Sequence, residues 1–474
     1  MIRKKYCGTA AKAGGNGENK PHPKIMGVPY LLEKKPNVIW FIVDQMSGHA
    51  MGCNGDPNVF TPNLDNMSIC GTIFPGAVSG YPLCCPFRGS MMTGKYAHNH
   101  SVKLHEDRLD PSYRTVTDVF NDNGYETIHL GKWHLAGIKE ATGRSDQQSV
   151  PHEDRGRFDT WIGYDNNNSQ FDLYVHGHDG ENEVPHYRLP DYETNGLTDL
   201  ALERIEARKE SDTPFFMVVS VQPPHWPQLA PAKHRRYQAQ QLTLRPNIPD
   251  GHQARTRAAL SGYYAQIENI DTNVGRIVDT LRDAEMLDNT HIMFFCDHGD
   301  QMGSQGRFGK CVPYEETIRV PFLIGGAQPM NYGEWRAGRA PSLVNHVDIA
   351  PTALGLCGID VPEWMEGFDY SHRRTGVNAK ERIAQEPDSA YLQLIGDRES
   401  GYAWRSVVTR DGWKYACVAN GEWLLFDLNQ DPYERNNLAF NTSFRKKRRE
   451  MKALLMQWIE KTGDDFPLPQ DRNQ

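Results

Sequence analysis

The chain has 474 residues, a hydrophobic fraction of 38% and a formal net charge of −8. The length indicates one large domain with a smaller one, and the composition excludes a disordered or fibrous chain. The acidic balance gives no support for nucleic acid or an anionic membrane as a partner. No apolar run reaches the roughly 18 residues that a membrane helix needs, so no membrane span is expected.

The N-terminal segment is polar and glycine-rich, which predicts a disordered extension over residues 1–30, with Met26 as an alternative start. It has no apolar stretch typical of a secretory signal. The chain has nine cysteines, with no repeated spacing, so we expect no disulfide framework but a reducing compartment or at most one or two bridges. These features predict a cytoplasmic protein, or a periplasmic or secreted one if a leader has been removed.

Four short apolar runs, at residues 38–43, 125–130, 215–221 and 291–296, predict buried strands of a largely parallel sheet. Between the last two, residues 264–281 carry the apolar stripe of an amphipathic helix. Alternating strand and helix patterns predict a doubly wound α/β domain with helices on both faces, over residues 31–375.

Polar side chains follow each of these runs. They are Asp44 and Gln45, Lys132 and His134, His225, and Asp297 and His298. Any one of them alone is explained by a turn or a helix cap. Because ligands bind beyond the carboxyl ends of strands in open α/β sheets, the set together predicts one site at that edge.

The pattern changes after residue 375. Segments 404–409, 413–418 and 423–428 predict strands, and Asn420-Gly421 is a hairpin signal between the last two. Residues 443–461 then predict an amphipathic helix. We therefore expect a smaller antiparallel α+β domain over residues 376–474.

The densest local motif begins at Cys84, with Pro86 at position +2, Arg88 at +4 and Thr93-Gly94 further on. It resembles the signature C-x-P-x-R of the sulfatase family, the formylglycine-dependent type I enzymes of the alkaline phosphatase-like superfamily. The spacing selects Cys84, because Cys85 would have proline at +1 and glycine at +4.

Further segments resemble family elements in the expected order, from about residue 36 to 440. They are Asp44-Gln45, Thr61–Asp65, 131–134 (GKWH), 223–227 (PPHWP), 297–300 (DHGD) and Lys310 before 314–321 (YEETIRVP). Two positions depart from the family pattern: Phe87 stands where a small residue is usual, and Cys85 follows the motif cysteine. Six ordered motifs are far more specific than one.

The resemblance implies that a formylglycine-generating enzyme oxidises Cys84 to an aldehyde. It also implies one divalent cation beside that residue, held by Asp44, Gln45, Asp297 and His298 together with the oxidised side chain at position 84. Ca²⁺ is implied for most sulfatases, and the ligand types also admit Mg²⁺ or Mn²⁺. For Gln45 an alternative stays open, in which its side chain hydrogen-bonds to a metal ligand and does not bind the cation itself.

By the same analogy, Arg88 and Lys132 would hold the side chain at position 84 and neutralise charge. His134 would take a proton from the aldehyde hydrate, whose one hydroxyl attacks sulfur and whose other expels sulfate. His225 and Lys310 would face the ester, with His225 protonating the leaving oxygen. Each residue taken singly also has an ordinary structural interpretation, which stays open. Cys84 could be a structural thiol, the two lysines could be solvated, and the histidines could be ordinary hydrogen-bonded residues.

The expected substrate is a small anion, a sulfate ester and most simply a sulfated sugar, with aryl sulfates as surrogates. An alternative is a phosphonate monoester or phosphodiester hydrolase, since those substrates carry the same single negative charge and fold does not fix substrate. A non-catalytic binding protein would be expected to have lost a ligand or lysine, and every one is present.

Overall fold

The computed structural model describes residues 34–140, 144–327, 337–396 and 402–469. The predicted extension over residues 1–30 and the alternative start at Met26 lie outside these residues. The strands of the described residues are β1 Asn37–Asp44, β2 Thr72–Ile73, β3 Glu126–Lys132, β4 Thr160–Tyr164, β5 Tyr174–Asp179, β6 Asn182–Arg188, β7 Phe215–Pro224, β8 Thr290–Cys296, β9 Phe322–Gly326, β10 Gly338–Arg339, β11 Ser389–Leu394, β12 Trp404–Thr409, β13 Trp413–Val418 and β14 Gly421–Asp427.

Helices flank these strands. Within the described residues they are α1 Pro62–Cys70, α2 Cys84–Thr93, α3 Val116–Asp122, α4 Glu193–Glu206, α5 Gln253–Asp283, α6 Glu315–Ile318, α7 Ile349–Leu356, α8 His372–Thr375, α9 Ala379–Gln385 and α10 Arg445–Thr462. None of them is long and apolar enough to cross a bilayer.

The large sheet has ten strands in the order β10-β2-β9-β8-β1-β7-β3-β4-β5-β6. Its five central strands, from β8 to β4, run parallel, whereas β9, β5 and β6 pair antiparallel with their neighbours. Strand β1 is buried at all eight positions, as a strand covered on both faces must be. The predicted α/β fold with a mostly parallel sheet is therefore confirmed.

The four apolar runs lie in β1, β3, β7 and β8, and these four strands are adjacent in the sheet. Since they are parallel, their carboxyl ends meet at one edge. The predicted helix at residues 264–281 lies within α5, which is 31 residues long and buries its apolar stripe. This geometry places the polar residues that follow the four strands close together.

A second, antiparallel sheet of four strands, β11-β12-β13-β14, confirms the predicted small α+β unit. Helix α10 packs on it through Leu455 and Trp458, against Tyr391 and Tyr415. Three of the strands were expected from the sequence, and β11 was not. The exact domain boundary at residue 375 stays a prediction.

Candidate active site

The predicted site residues gather at the carboxyl edge of the large sheet. Asp44 is the last residue of β1, Lys132 is the last residue of β3, and Asp297 follows β8 directly. All three side chains are buried, with at most 1% exposed. Strand ends thus supply two carboxylates and an ammonium group to a single buried site.

Cys84 begins helix α2 and faces this edge. Its Sγ lies 3.2 Å from His298 Nε2, 3.7 Å from Asp44 Oδ1 and 3.0 Å from Lys310 Nζ. The side chain here is the unmodified thiol, so Sγ stands in for the oxygen of an oxidised residue 84. Burial, together with the charge of Asp44, raises the pKa of the thiol to about 12.

The two carboxylates and His298 form a group whose chemistry suits a divalent cation. One ligand atom each from Asp44, Cys84, Asp297 and His298 lie within 4.8 Å of one another. Asp297 Oδ2 is buried and makes no hydrogen bond, although buried polar atoms are normally paired. Carboxylate oxygens with one imidazole fit Ca²⁺, Mg²⁺ or Mn²⁺. The residues present therefore fit the cation that the sequence predicts.

Burial and the charged neighbours together shift the pKa values of the two carboxyl groups in opposite directions. Burial would raise the pKa of Asp44, but Lys132, His225 and Lys310 outweigh it, and the pKa lies well below its usual value. Burial and the charge of Asp44 raise the pKa of Asp297 to about 7. The cations around Asp44 thus keep its carboxylate ionised, whereas the Asp297 carboxylate needs a further positive charge nearby to be fully ionised at neutral pH.

Lys132 and Arg88 supply fixed positive charge. Lys132 Nζ donates to Asp44 Oδ2 over 2.7 Å. Arg88 lies 3.9 Å from both Asp44 Oδ2 and Asp297 Oδ2, and its Nη1 donates to Lys132 O and to Ser220 Oγ. The hydrogen bonds to the backbone and to Ser220 hold the guanidinium in place, so both cations are rigid parts of the site.

His225 lies beyond β7. Its Nδ1 donates to Trp226 O over 2.8 Å, since a carbonyl oxygen only accepts, and this leaves Nε2 available. Burial, with the charge of Lys310, lowers the pKa of His225 to about 3. The substrate-free ring is therefore neutral, and an anion bound beside it would raise the pKa toward the range needed for an acid.

The Gln45 side chain contacts Asp300, a residue to which the sequence assigned no role. Its Nε2 donates to the Asp300 carboxylate, and its backbone N donates to Asp297 Oδ1 over 3.1 Å. Asp300 also accepts from the backbone of Met302 and Gly309. The signal for Asp300 was its place at the end of the DHGD segment. A ligand role for Gln45 stays a prediction.

His134 lies near the site without a hydrogen bond to Cys84. Its ring is 5.1 Å from that of His105, and its Nε2 is 3.8 Å from Glu140 Oε1. Neither His105 nor Glu140 was assigned a role from the sequence, because no motif spacing links them to His134. All ten predicted site residues nonetheless lie at or beside this edge of the sheet.

Comparisons with known proteins agree with this geometry. The family model for sulfatases matches residues 36–359, and the model for the C-terminal part of N-sulphoglucosamine sulphohydrolase matches residues 303–461. An ulvan-active sulfatase of Formosa agariphila is 31% identical over 444 residues, covering 91% of this chain and 82% of the relative.

Comparisons with solved structures point to the same family. A crystal structure from Bacteroides fragilis, assigned to the sulfatases, matches with a TM-score of 0.80 and 27% identity, covering 96% of this chain and 99% of that one. The phosphonate monoester hydrolase of Agrobacterium radiobacter matches with a TM-score of 0.72 and 20% identity, covering 90% and 96%, which shows the shared fold alone. The chain therefore belongs to the sulfatase family, within the alkaline phosphatase-like superfamily, and is a hydrolase of sulfate esters.

Proposed function

We propose that this enzyme hydrolyses a carbohydrate sulfate ester at residue 84, after oxidation of Cys84 to formylglycine, beside one divalent cation. The observation that carries the proposal is the position of the Cys84 side chain. It contacts Lys310 and His298, and it belongs to the same buried group as Asp297, whose Oδ2 makes no hydrogen bond.

Oxidation of Cys84 is part of the proposal because the unmodified thiol suits the reaction poorly. With a pKa of about 12 the thiol is neutral at neutral pH, and its sulfur is a poor ligand for a hard cation. The oxidised residue supplies, as its hydrate, one hydroxyl that attacks sulfur and a second that expels the sulfate. A formylglycine-generating enzyme is thus a required partner during maturation.

The cation would be held by Asp44, Asp297 and His298, with Gln45 as a further candidate. Ca²⁺ is the first choice from the family resemblance, and Mg²⁺ and Mn²⁺ are compatible with the same ligands. When bound, it supplies positive charge for the sulfate oxygens.

The chain's own residues then divide the remaining tasks. Lys132 and Arg88 hold the carboxylates and the side chain at position 84, and Lys310 neutralises the sulfate charge. His134 accepts the proton released by the attacking hydroxyl. His225 directs Nε2 toward the leaving oxygen and donates a proton there once the bound anion has raised its pKa.

A sugar is favoured as the leaving group for two reasons. The relative from Formosa agariphila acts on ulvan, and the C-terminal family model is named for an N-sulphated glucosamine. In addition, Trp226 is 61% exposed directly after His225, where its ring offers a flat apolar face for a sugar ring. Aryl sulfates then serve as surrogate substrates.

The second candidate is a phosphonate monoester or phosphodiester hydrolase. Its support is the shared fold with the Agrobacterium enzyme and the equal charge of the two substrate classes. The same residues at the sheet edge would carry out either reaction.

The test compares kcat/KM for an aryl sulfate and an aryl phosphonate monoester, with Ca²⁺ or Mn²⁺ present and a host that oxidises Cys84. We expect sulfate to be preferred and Cys84→Ala to be inactive. Cys357→Ala, which alters a buried thiol that is not among the site residues and that hydrogen-bonds to Pro36 O, is the matched control. Preference for the phosphonate would overturn the substrate assignment while leaving the site residues in place.

A further inference from the structure

A second group of metal-binding side chains lies directly beside the proposed nucleophile. Ligand atoms of Cys85, His105 and His134 lie within 4.8 Å of one another, with Cys85 Sγ 3.9 Å from His105 Nδ1. The two imidazole rings are nearly perpendicular, at 86°. This group shares no residue with the carboxylate site of Asp44 and Asp297.

In this group, His134 is a buried residue whose ring nitrogens lack a hydrogen-bond partner among the described residues. It is 2% exposed, yet neither ring nitrogen makes a hydrogen bond. Leaving a buried polar group unpaired costs about 1–3 kcal/mol, so such groups are rare unless a ligand or ion completes them. Cys85 is fully buried, and its Sγ accepts a hydrogen bond from Glu106 N over 3.3 Å.

Glu140 orients His105 for coordination. Glu140 Oε1 lies 3.0 Å from His105 Nε2, and Asn166 donates to the same oxygen. Since the carboxylate accepts, Nε2 carries a proton, and in the neutral ring Nδ1 is then the nitrogen free to bind a metal on the side that faces Cys85. A carboxylate behind a histidine is the usual arrangement around zinc ligands.

We propose that Cys85, His105 and His134 form a binding site for Zn²⁺ or a similar borderline cation, separate from the carboxylate site. One thiolate and two imidazoles are zinc ligands, and three protein ligands leave a fourth position open. Sulfur and nitrogen select against Ca²⁺ and Mg²⁺. On binding, the Cys85 thiol gives its proton to solvent and its sulfur joins the metal, and no oxidation state changes. The His105 side chain is 29% exposed and provides the route of entry.

Binding would have a functional consequence, which rests on the function proposed above. In that mechanism, His134 accepts the proton from the hydroxyl of residue 84 that attacks sulfur. A zinc ion that occupies its ring nitrogen removes that base, so zinc inhibits the enzyme from a position adjacent to the nucleophile.

The binding test uses the full chain with Cys84→Ala and Asp297→Asn, which removes residue 84 and one of the two carboxylates from the carboxylate site. Equilibrium dialysis should give one Zn²⁺ per chain. Adding Cys85→Ala or His105→Ala should weaken binding at least about tenfold. The matched control Cys357→Ala, at a buried thiol outside the group, should leave the affinity unchanged.

Co²⁺ provides a spectroscopic signature. It should give thiolate-to-cobalt charge-transfer absorption that disappears in Cys85→Ala. If Cys85→Ala does not fold, the same test is made with His105→Ala, whose side chain is partly exposed. Absence of zinc binding, or equal affinity in Cys85→Ala or His105→Ala, would overturn the site. Zinc binding without inhibition of the otherwise unaltered active enzyme would support the site and overturn the role of His134.

Discussion

At the scale of single residues, the site is organised by charge. The three cationic side chains Arg88, Lys132 and Lys310 lie around the two carboxylates Asp44 and Asp297. With a divalent cation added, the group has a clear positive excess in a buried environment, where charge interactions are strong. An acidic protein thus concentrates positive charge at the one place where an anionic ester has to bind.

Lys132 is the cation whose loss should be most damaging. We expect Lys132→Met to lower kcat on an aryl sulfate by about 10²–10³-fold, the range found when one fixed donor to a developing charge is removed. Lys139→Met, at a side chain that is 55% exposed, should leave kcat within about twofold of the unaltered enzyme in the same assay. Equal loss in both variants would contradict the assignment.

Metal binding should depend on the protonation of Asp297. In the ion-free site its pKa is raised to about 7, so the carboxyl group is protonated below that pH and the proton competes with the cation. The affinity for Ca²⁺, measured by calorimetry, should therefore fall by about tenfold for each pH unit below 7 and level off above it. An affinity that is constant between pH 5 and 8, about two units below and one above that pKa, would exclude Asp297 as the competing group.

The sequence identified these residues because motif spacing and strand ends are local features. Asp44 and Asp297 each follow an apolar run, and Cys84 is defined by the residues two and four positions ahead. His105 and Glu140 were not assigned, since they come from connecting segments whose approach to His134 depends on the folded chain. The orientation of Gln45 toward Asp300 is equally a tertiary feature.

At the scale of elements, the last residue but one of β3 is Gly131, directly before Lys132. Gly131 has φ of 106°, and a Cβ there would lie 2.1 Å from Ser220 O on the paired strand β7. Gly131→Ala should lower the free energy of unfolding by about 2–3 kcal/mol, from backbone strain and the clash combined. Chemical denaturation measures this change.

Gly180→Ala is the matched control, because Gly180 also has positive φ, at 59°, but a Cβ there would meet no atom within 4 Å. We expect a loss of about 1 kcal/mol from backbone conformation alone. Similar losses in the two variants would show that the contact with Ser220 is unimportant.

Some of the missed strands lack the apolar runs that identify the predicted ones. Strands β1, β3, β7 and β8 carry dense apolar runs because helices cover both faces of the sheet there. Strand β6 is exposed at most of its positions, and its residues NEVPHYR form no apolar run. Strands β2 and β10 have two residues each, which is too short for any periodic pattern.

At the scale of the whole molecule, a buried ionic group ties the small sheet to the catalytic unit. Lys414 of β13 is fully buried and pairs with Glu434 and with Glu315 of α6, the latter over 3.2 Å. Helix α6 follows closely after Lys310 in the chain. The small domain therefore supports the segment that carries Lys310, one of the proposed catalytic cations.

Lys414→Met should strongly destabilise the protein, because it leaves the buried Glu434 carboxylate without its cation, whereas Glu315 keeps its ion pair with Arg319. We expect a loss of about 3–5 kcal/mol in the free energy of unfolding, measured by denaturant titration. Lys446→Met, on the exposed face of α10, should change it by less than about 0.5 kcal/mol. A small effect of Lys414→Met would mean that the two units are held by apolar packing alone.

The oxidation of residue 84 to an aldehyde is tested most directly by the mass of the peptide that contains it. Preparations from hosts with different levels of the oxidising enzyme should contain different fractions of a lighter peptide in which –CH₂SH has become –CHO. Sulfatase turnover per chain should rise in proportion to this fraction. Full turnover in a preparation that carries only the thiol at residue 84 would contradict it.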